Sequence, residues 1–290
     1  MKFIPNHLLL SAFGLLIIIL LSGCGDIISD LKLNSNGSGT LSTTFELGDL
    51  MSMAKGFKGM GADSTGFTDD TVPEPVVTKA DTSKDPMQKL MAKITDPNYD
   101  RNFDTLMAIT SIMPDSVKSK ITQPALANKI KVRFASPAKS ANLTIGIVAD
   151  FDNSQQLKEM MQLMQTLDEN PDMLSGGGPL GFQPKSFMVF DADMKAGTLK
   201  VAPIDYGDMA SQFGAKGDST SSSENLGMLQ MMFGNSKIKS VIHVPGEVLS
   251  CTNKDAILTK DNRVLLEYNF MDVIQKGSID GFTIHFQPGK

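Results

Sequence analysis

Cys24 and Cys251, with His7, His243 and His285, are the side chains of this 290-residue chain best suited to nucleophilic or metal chemistry. A cysteine acts as nucleophile or ligand only as its thiolate, which needs a nearby base, cation or helix start to form at neutral pH. No segment around Cys251 supplies one, so a buried, inert thiol is expected there. Ile242 and Val244 flank His243, and Ile284 and Phe286 flank His285. In a strand, that alternation turns both imidazoles away from the core. Were the two strands to pair, both histidines and an acid could hold zinc, but a third ligand at recognisable spacing is missing. The glycine-rich stretch Gly176-Gly177-Gly178-Pro179-Leu180-Gly181 runs into Phe182-Gln183, without the Gly-Lys-Ser/Thr ending of a phosphate loop, and reads as a loop. Neither Gly-x-Ser-x-Gly nor His-Glu-x-x-His occurs. The expectation is a protein that is not an enzyme, with no catalytic residue, metal or cofactor.

Cys24 sits in a different context. Lys2 gives a short basic start, and Leu8 to Leu21 form a 14-residue apolar run. At 1.5 Å per residue this reaches about 21 Å, short of a hydrocarbon slab of roughly 30 Å, so a secretory signal is favoured over a spanning helix. Leu21-Ser22-Gly23-Cys24 follows at once and resembles the lipobox of bacterial lipoproteins. The resemblance implies that residues 1 to 23 are a signal peptide cut before Cys24, whose thiol carries a diacylglyceryl group and whose new amino terminus is acylated. Several chains at about 0.8 kcal/mol per buried methylene anchor a protein durably. In such lipoproteins an Asp directly after the Cys commonly retains the protein at the inner membrane. Gly25 stands there and Asp26 one place later, so an outer-membrane location is favoured over an inner one. With Cys24 acylated, Cys251 is left without a disulfide partner.

The whole chain is 41% hydrophobic with 25 glycines, which excludes wholesale disorder. A formal charge of −5 gives no electrostatic footprint for nucleic acid. Residues 24 to 290 suffice for a single extracytoplasmic domain.

The elements follow from periodicity. Leu31 and Leu33, then Leu41, Thr43, Phe45 and Leu47, alternate across Asn36-Gly37, which predicts a hairpin over 29 to 47 with both central turn residues at positive φ. Asp49 is expected to cap a short helix carrying Leu50, Met51, Met53 and Ala54, and polar residues 55 to 84 to form a flexible loop. Helices are expected near 86 to 95 and along Phe103, Leu106, Met107 and Thr110 until Pro114. Ile130, Val132 and Phe134 alternate with Lys129, Lys131 and Arg133, and Leu143, Ile145, Ile147 and Phe151 define a second strand. Asp152 or Asn153 then caps a helix with Leu157, Met160, Met161, Met164 and Leu167 on one stripe. A hairpin over 186 to 204 turns at Lys195-Ala196-Gly197. A loop is expected near 214 to 224, a Met-rich helix over 226 to 233, and strands near 238 to 244, 262 to 268 and 279 to 286. Glu46-Leu47-Gly48-Asp49-Leu50 and Asp205-Tyr206-Gly207-Asp208-Met209 share one pattern, which either chance or two strand-to-helix bends would produce, the glycine making each bend and Asp49 or Asp208 capping the helix. The expected class is α+β, with antiparallel hairpins or sheet and short Met-rich helices packed on one face.

Nineteen methionines against no tryptophan give the composition its slant. Flexible thioethers fill cores, and they also line adaptable apolar surfaces. Core filling and a Met-lined pocket between helices are therefore both open readings. Two further segments, Asn36-Gly37-Ser38-Gly39-Thr40-Leu41 and Ile242-His243-Val244-Pro245-Gly246-Glu247-Val248 with Asn253 and the strand Arg263 to Tyr268, resemble small bacterial lipoproteins of the LppM-like kind. The resemblance implies a β-rich domain with helices against the sheet, and a lipid-binding role proposed for some members. Related chains often end with a membrane helix and carry Trp in the penultimate strand, where this one has Tyr268. The motifs are turn chemistry, so no functional residue carries over. The expected function is a membrane-anchored envelope lipoprotein acting as a non-enzymatic binding or interaction module, its partner an envelope protein. The alternative is a carrier of lipid or another apolar ligand.

Overall fold

A computed structural model describes residues 25–46, 102–113, 118–136, 143–168, 187–207, 230 and 233–288. The expected helices after Asp49 and over 86 to 95, the loops at 55 to 84 and 214 to 224, and nearly all of the Met-rich helix over 226 to 233 lie outside these residues.

The chain opens with strands β1 (Ile27–Leu33) and β2 (Gly39–Glu46). Ile27, Ser29, Leu31 and Leu33 are buried on one side of β1, and Leu41 and Thr43 continue that face on β2. The hairpin is therefore as read, with a wider turn: only Gly37 takes positive φ, at 84°. Gly37 N–H donates to Asn34 O at 3.0 Å and Asn34 N–H to Ser38 O at 2.8 Å, while Asn36 Oδ1 accepts from Ser38 N–H at 3.0 Å. A side-chain acceptor at Asn36 does locally what a second left-handed residue was expected to do.

Phe103–Ala108 is strand β3, not a helix, and only one helical turn, α1 (Ile109–Ile112), follows before Met113 goes extended ahead of Pro114. The spacing of Phe103, Leu106 and Met107 fits a helix, but tertiary pairing overrides it. β3 runs antiparallel to β4 (Ile130–Ser136), which follows the short helix α2 (Pro124–Ala127). Arg133 on β4 grips Asp104 with two bonds, Nε at 2.9 Å and Nη2 at 2.6 Å. That hydrogen-bonded fork lowers the Asp104 carboxyl below its usual range. Its contribution is present at neutral pH and lost on acidification through the lowered pKa; being exposed, the pair is worth about 1 kcal/mol or less.

β5 (Thr144–Phe151) pairs with β4 and β2. Ile130, Val132, Phe134, Ile145, Ile147 and Phe151 are all buried, and the alternate positions point outward, where Lys131 meets Asp150 at 2.8 Å. Helix α3 (Ser154–Asp168) starts on Asn153, whose Oδ1 accepts from Gln156 N–H at 2.9 Å, while Gln156 Oε1 accepts from Asp152 N–H at 2.8 Å. The cap is thus Asn153, reinforced by a reciprocal side chain three residues on. Leu157, Met160, Met161 and Met164 are buried along one stripe, as the spacing predicts.

A hairpin of β6 (Phe190–Asp193) and β7 (Thr198–Val201) follows, then β8 (Ile204–Asp205). β9 (Lys237–His243), β10 (Val248–Cys251), β11 (Ile257–Leu258), β12 (Arg263–Asn269), helix α4 (Phe270–Lys276), β13 (Ser278–Ile279) and β14 (Phe282–Phe286) complete it. Among the described residues, the large sheet has eight strands in the order β11-β12-β9-β1-β2-β5-β4-β3; a second has β10-β14-β7-β6, and β8 pairs with β13. The class is α+β and sheet-rich. Among the described strands, antiparallel pairing holds with one exception, β1 beside β9, where Ile27 faces Ile238 and Leu31 faces Ile242 in parallel register. Phe151 of the large sheet and Phe190 of the smaller one meet edge to face at 5.6 Å, and residues of both sheets, α3 and α4 share one core. Packing two apolar sheet faces together is what buries them.

Gly197 takes φ +62°, and a Cβ there would lie 2.0 Å from Phe286 O; at Gly37 a Cβ would meet only Met194 Cγ at 3.5 Å. Gly37→Ala is expected to cost about 1 kcal/mol from left-handed strain, and Gly197→Ala about 2 to 4 kcal/mol, because its neighbour's backbone must also move. Urea unfolding of both variants checks this; equal losses would contradict the packing at Gly197.

Candidate functional site

A cleft of about 370 Å³ opens between the segment after β10 and the turn before β14. One wall is Thr252 to Asp255. Thr252 N–H donates to Thr283 O at 2.9 Å, and Thr252 Oγ1 accepts from Thr283 N–H at 2.9 Å, which ties this wall to β14. Asn253 Oδ1 accepts from Asp255 N–H at 3.0 Å and folds the wall into a tight turn. The floor is Tyr268 at the end of β12, with Val273 of α4 and Ile279. α4 is held at both ends: Asn269 Oδ1 accepts from Met271 N–H at 2.9 Å, and Gly277 closes the helix at φ 80° by donating to Val273 O at 2.7 Å. These are the residue types that start and stop a helix.

Tyr268 is the polar centre of the cleft. Its hydroxyl accepts from Asn253 Nδ2 at 2.7 Å, leaving the phenolic O–H to donate. Burial pushes this phenol up, with the negative charges of Asp255 and Asp280 acting the same way, so it stays neutral at pH 7. Asp255, Asp272 and Asp280 are exposed at the rim, and Asp280 pairs with Lys276 at 2.7 Å. On β10 and β11, the strands that precede and follow the 252–255 wall, Leu249, Ile257 and Leu258 are exposed at 57, 63 and 44%. A fixed phenol, an amide, rim carboxylates and an apolar shoulder can hold a ligand or a partner's side chains. In the sequence, Asn253 and Tyr268 stand out only within the segments that carry the family resemblance. Their contact spans fifteen residues and depends on how β10, β11 and β12 fold back, which periodicity does not encode.

The candidate residues from the sequence do not converge here. Leu21, Ser22, Gly23 and Cys24 lie outside the described residues, which begin at Gly25. His243 and His285 both turn away from the core, as parity predicts. They stand on strands of different sheets, so the pairing that a zinc site would need does not form. His243 Nε2 instead lies 3.5 Å from Asp30 Oδ1 on the neighbouring strand. Cys251 is half-buried opposite Ile284, and desolvation raises its thiol pKa despite a backbone hydrogen bond from Asn253. Among the described residues, no group of three or more His, Cys, Asp or Glu side chains gathers to hold a metal ion. No helix of the described residues is long and apolar enough to cross a membrane.

Of the methionines expected on helices, Met160, Met161 and Met164 fill the core beneath α3. Met107 is on β3, and Met51, Met53, Met87, Met91, Met228, Met231 and Met232 lie outside the described residues. Asp208, the expected cap of the second strand-to-helix bend, also lies outside; there Asp205 Oδ1 accepts from Gly207 N–H at 2.7 Å.

No family model matches the chain, and no curated protein matches it. Among solved structures, the chain is similar to the folded domain of LppM from Mycobacterium tuberculosis, with 8% identity, a TM-score of 0.35 and 92% of each chain covered.

Cys251 gives a direct test of the local environment. Because burial raises its pKa, iodoacetamide should alkylate it more slowly than free cysteine at pH 7, with the rate rising at pH values above the ordinary thiol range of about 8.5. A rate at pH 7 equal to that of free cysteine would contradict this placement.

Proposed function

We propose that this protein is an envelope lipoprotein, tethered by acyl chains on Cys24, whose folded body is a non-enzymatic binding module. The observation that carries the reading is the apolar run from Leu8 ending in Leu21-Ser22-Gly23-Cys24, with the sheet starting three residues later at Ile27. A signal segment, a small-residue cleavage site and an acylatable thiol lie in the order that lipoprotein maturation uses, directly ahead of a sheet-rich domain. Gly25 after the cysteine supports an outer-membrane location over an inner one.

The cleft at Tyr268 and the exposed shoulder of Leu249, Ile257 and Leu258 support a binding role. They offer preset hydrogen-bonding groups beside apolar surface, the composition of a recognition site. Cys251 is the described thiol, and its raised pKa works against nucleophilic chemistry. The partner in this reading is an envelope protein. The carrier alternative assigns the Met-rich helices to a lipid pocket, and the three methionines of α3 favour core filling over it.

Metabolic labelling with an alkynyl fatty acid is expected to tag the wild-type chain and to fail on Cys24→Ala, with the variant released from the membrane fraction. Labelling that survives Cys24→Ala, or an unmodified chain in the cytosol, would overturn the anchor. Crosslinking in intact envelopes is expected to capture a protein partner that a charge-reversing Asp255→Lys variant loses.

A further inference from the structure

Between the acylated cysteine of that reading and the folded body there is almost no chain. Consecutive Cα atoms are about 3.8 Å apart, so Gly25 begins one step from Cys24 and Asp26 two steps, within about 8 Å. Both described residues are already locked into the sheet. A Cβ on Gly25 would fall 1.1 Å from Glu46 O, so residue 25 lies hard against the end of β2. Asp26 O accepts from Glu46 N–H at 2.9 Å, Asp26 Oδ1 accepts from Lys237 N–H at 2.9 Å, and Asp26 Oδ2 pairs with Lys239. Three bonds to two different strands leave the chain no slack at this point.

The polar headgroup layer on each side of a bilayer is only about 5 to 8 Å deep. A tether of that length brings the end of the sheet where Asp26, Glu46 and Lys237 lie against the headgroups; Asn269, beside Lys237, lines the Tyr268 cleft, so a partner would enter that cleft at the bilayer surface. The register defines this end: Ile27 stands beside Phe45 and Ile238, and Ile238 beside Tyr268. Two charge pairs lie there, Lys239 with Asp26 and Lys237 with Glu267, and the Glu46 carboxylate stands at the same end beside Thr144. The opposite end carries the turns at 34–38 and 259–262. It lies a full strand away, about 20 Å at 3.3 Å per residue.

We propose that the sheet end at Asp26 is a bilayer-apposed surface: Gly25 and Asp26 act as a rigid collar that holds the body in one orientation on the membrane, with the 34–38 and 259–262 turns pointing away. The inference rests on the lipoprotein reading and adds a fixed orientation to it. A flexible linker would let the body tumble, and here none is available.

The test uses the full acylated chain in vesicles of phosphatidylethanolamine and phosphatidylglycerol, 3:1, doped with headgroup-nitroxide lipid. In a Cys251→Ser background, a fluorophore is placed at Glu267→Cys near the collar or at Lys260→Cys at the far end, both exposed positions. Quenching several-fold stronger at position 267 than at 260 is expected. A twelve-residue Gly-Ser insertion between Cys24 and Gly25, which leaves the folded residues unaltered, is expected to abolish that difference. Equal quenching at the two positions in the uninserted, acylated protein would overturn the fixed orientation, and so would a difference that survives the insertion. Mass spectrometry of the same preparation reads acylation separately: an unacylated chain overturns both readings, whereas an acylated chain with equal quenching overturns only this one.

Discussion

β1 lies inside the large sheet, antiparallel to β2 on one side and parallel to β9 on the other, and Asp26 pins both neighbours at its start. Side chains alternate along a strand, so a one-residue slip of β1 would send Ile27, Leu31 and Leu33 to the wet face. A hairpin turn sets the register of β1 against β2. No turn can do so against β9, which arrives some two hundred residues later. The Asp26 carboxylate performs that function: one oxygen takes the first N–H of β9 and the other pairs with Lys239 two residues further on. The pairing in turn raises the Lys239 ammonium above the usual lysine range, chiefly through this hydrogen bond. A lysine raised in the fold contributes fully below its unfolded pKa and loses the contribution as pH rises through its folded one, so the clasp is intact at neutral pH.

From that seam the sheet's two faces diverge. The core face runs in ranks across the strands, such as Val264, Ile242, Leu31, Leu41, Ala149 and Ile130, all apolar and buried. One rank departs from this: Ser240, Ser29 and Thr43 stand side by side, buried, and Ser29 Oγ and Thr43 Oγ1 share a hydrogen bond at 3.2 Å. Their mutual bond offsets part of the cost of removing hydroxyls from water. The wet face carries charges of alternating sign, Arg133 with Asp104, Lys131 with Asp150 and Lys239 with Asp26. Each pair is weak alone, but the arrangement avoids like charges directly opposite one another.

Local patterns were legible and distant partners were not. Ile130, Val132 and Phe134, the stripe from Leu157 to Met164, and the turns at Gly37 and Gly197 all follow from spacing and glycine chemistry. Phe103 to Ala108 reads as a helix because its apolar spacing satisfies one, while the deciding partners, β4 and Arg133, lie some thirty residues away. The parallel β1/β9 contact leaves no trace in periodicity, since each strand reads the same whichever neighbour it has. Asp26 stands out in the sequence only as the residue after Gly25, with no sign that its carboxylate would fasten the start of β9. The site at Tyr268 shared that fate, because Asn253 reaches it only once three strands have folded together.

The account of a body seated directly on its anchor depends on β1 being ordered from its first residue. Hydrogen exchange on the acylated chain in detergent micelles measures that order amide by amide. The amides of Ile28 to Leu33 and of Lys237 to His243 are predicted to exchange together, at the slow limit set by global unfolding. Free exchange over residues 26 to 30 alongside a protected β9 would mean that the strand frays at its start, and the account would fail.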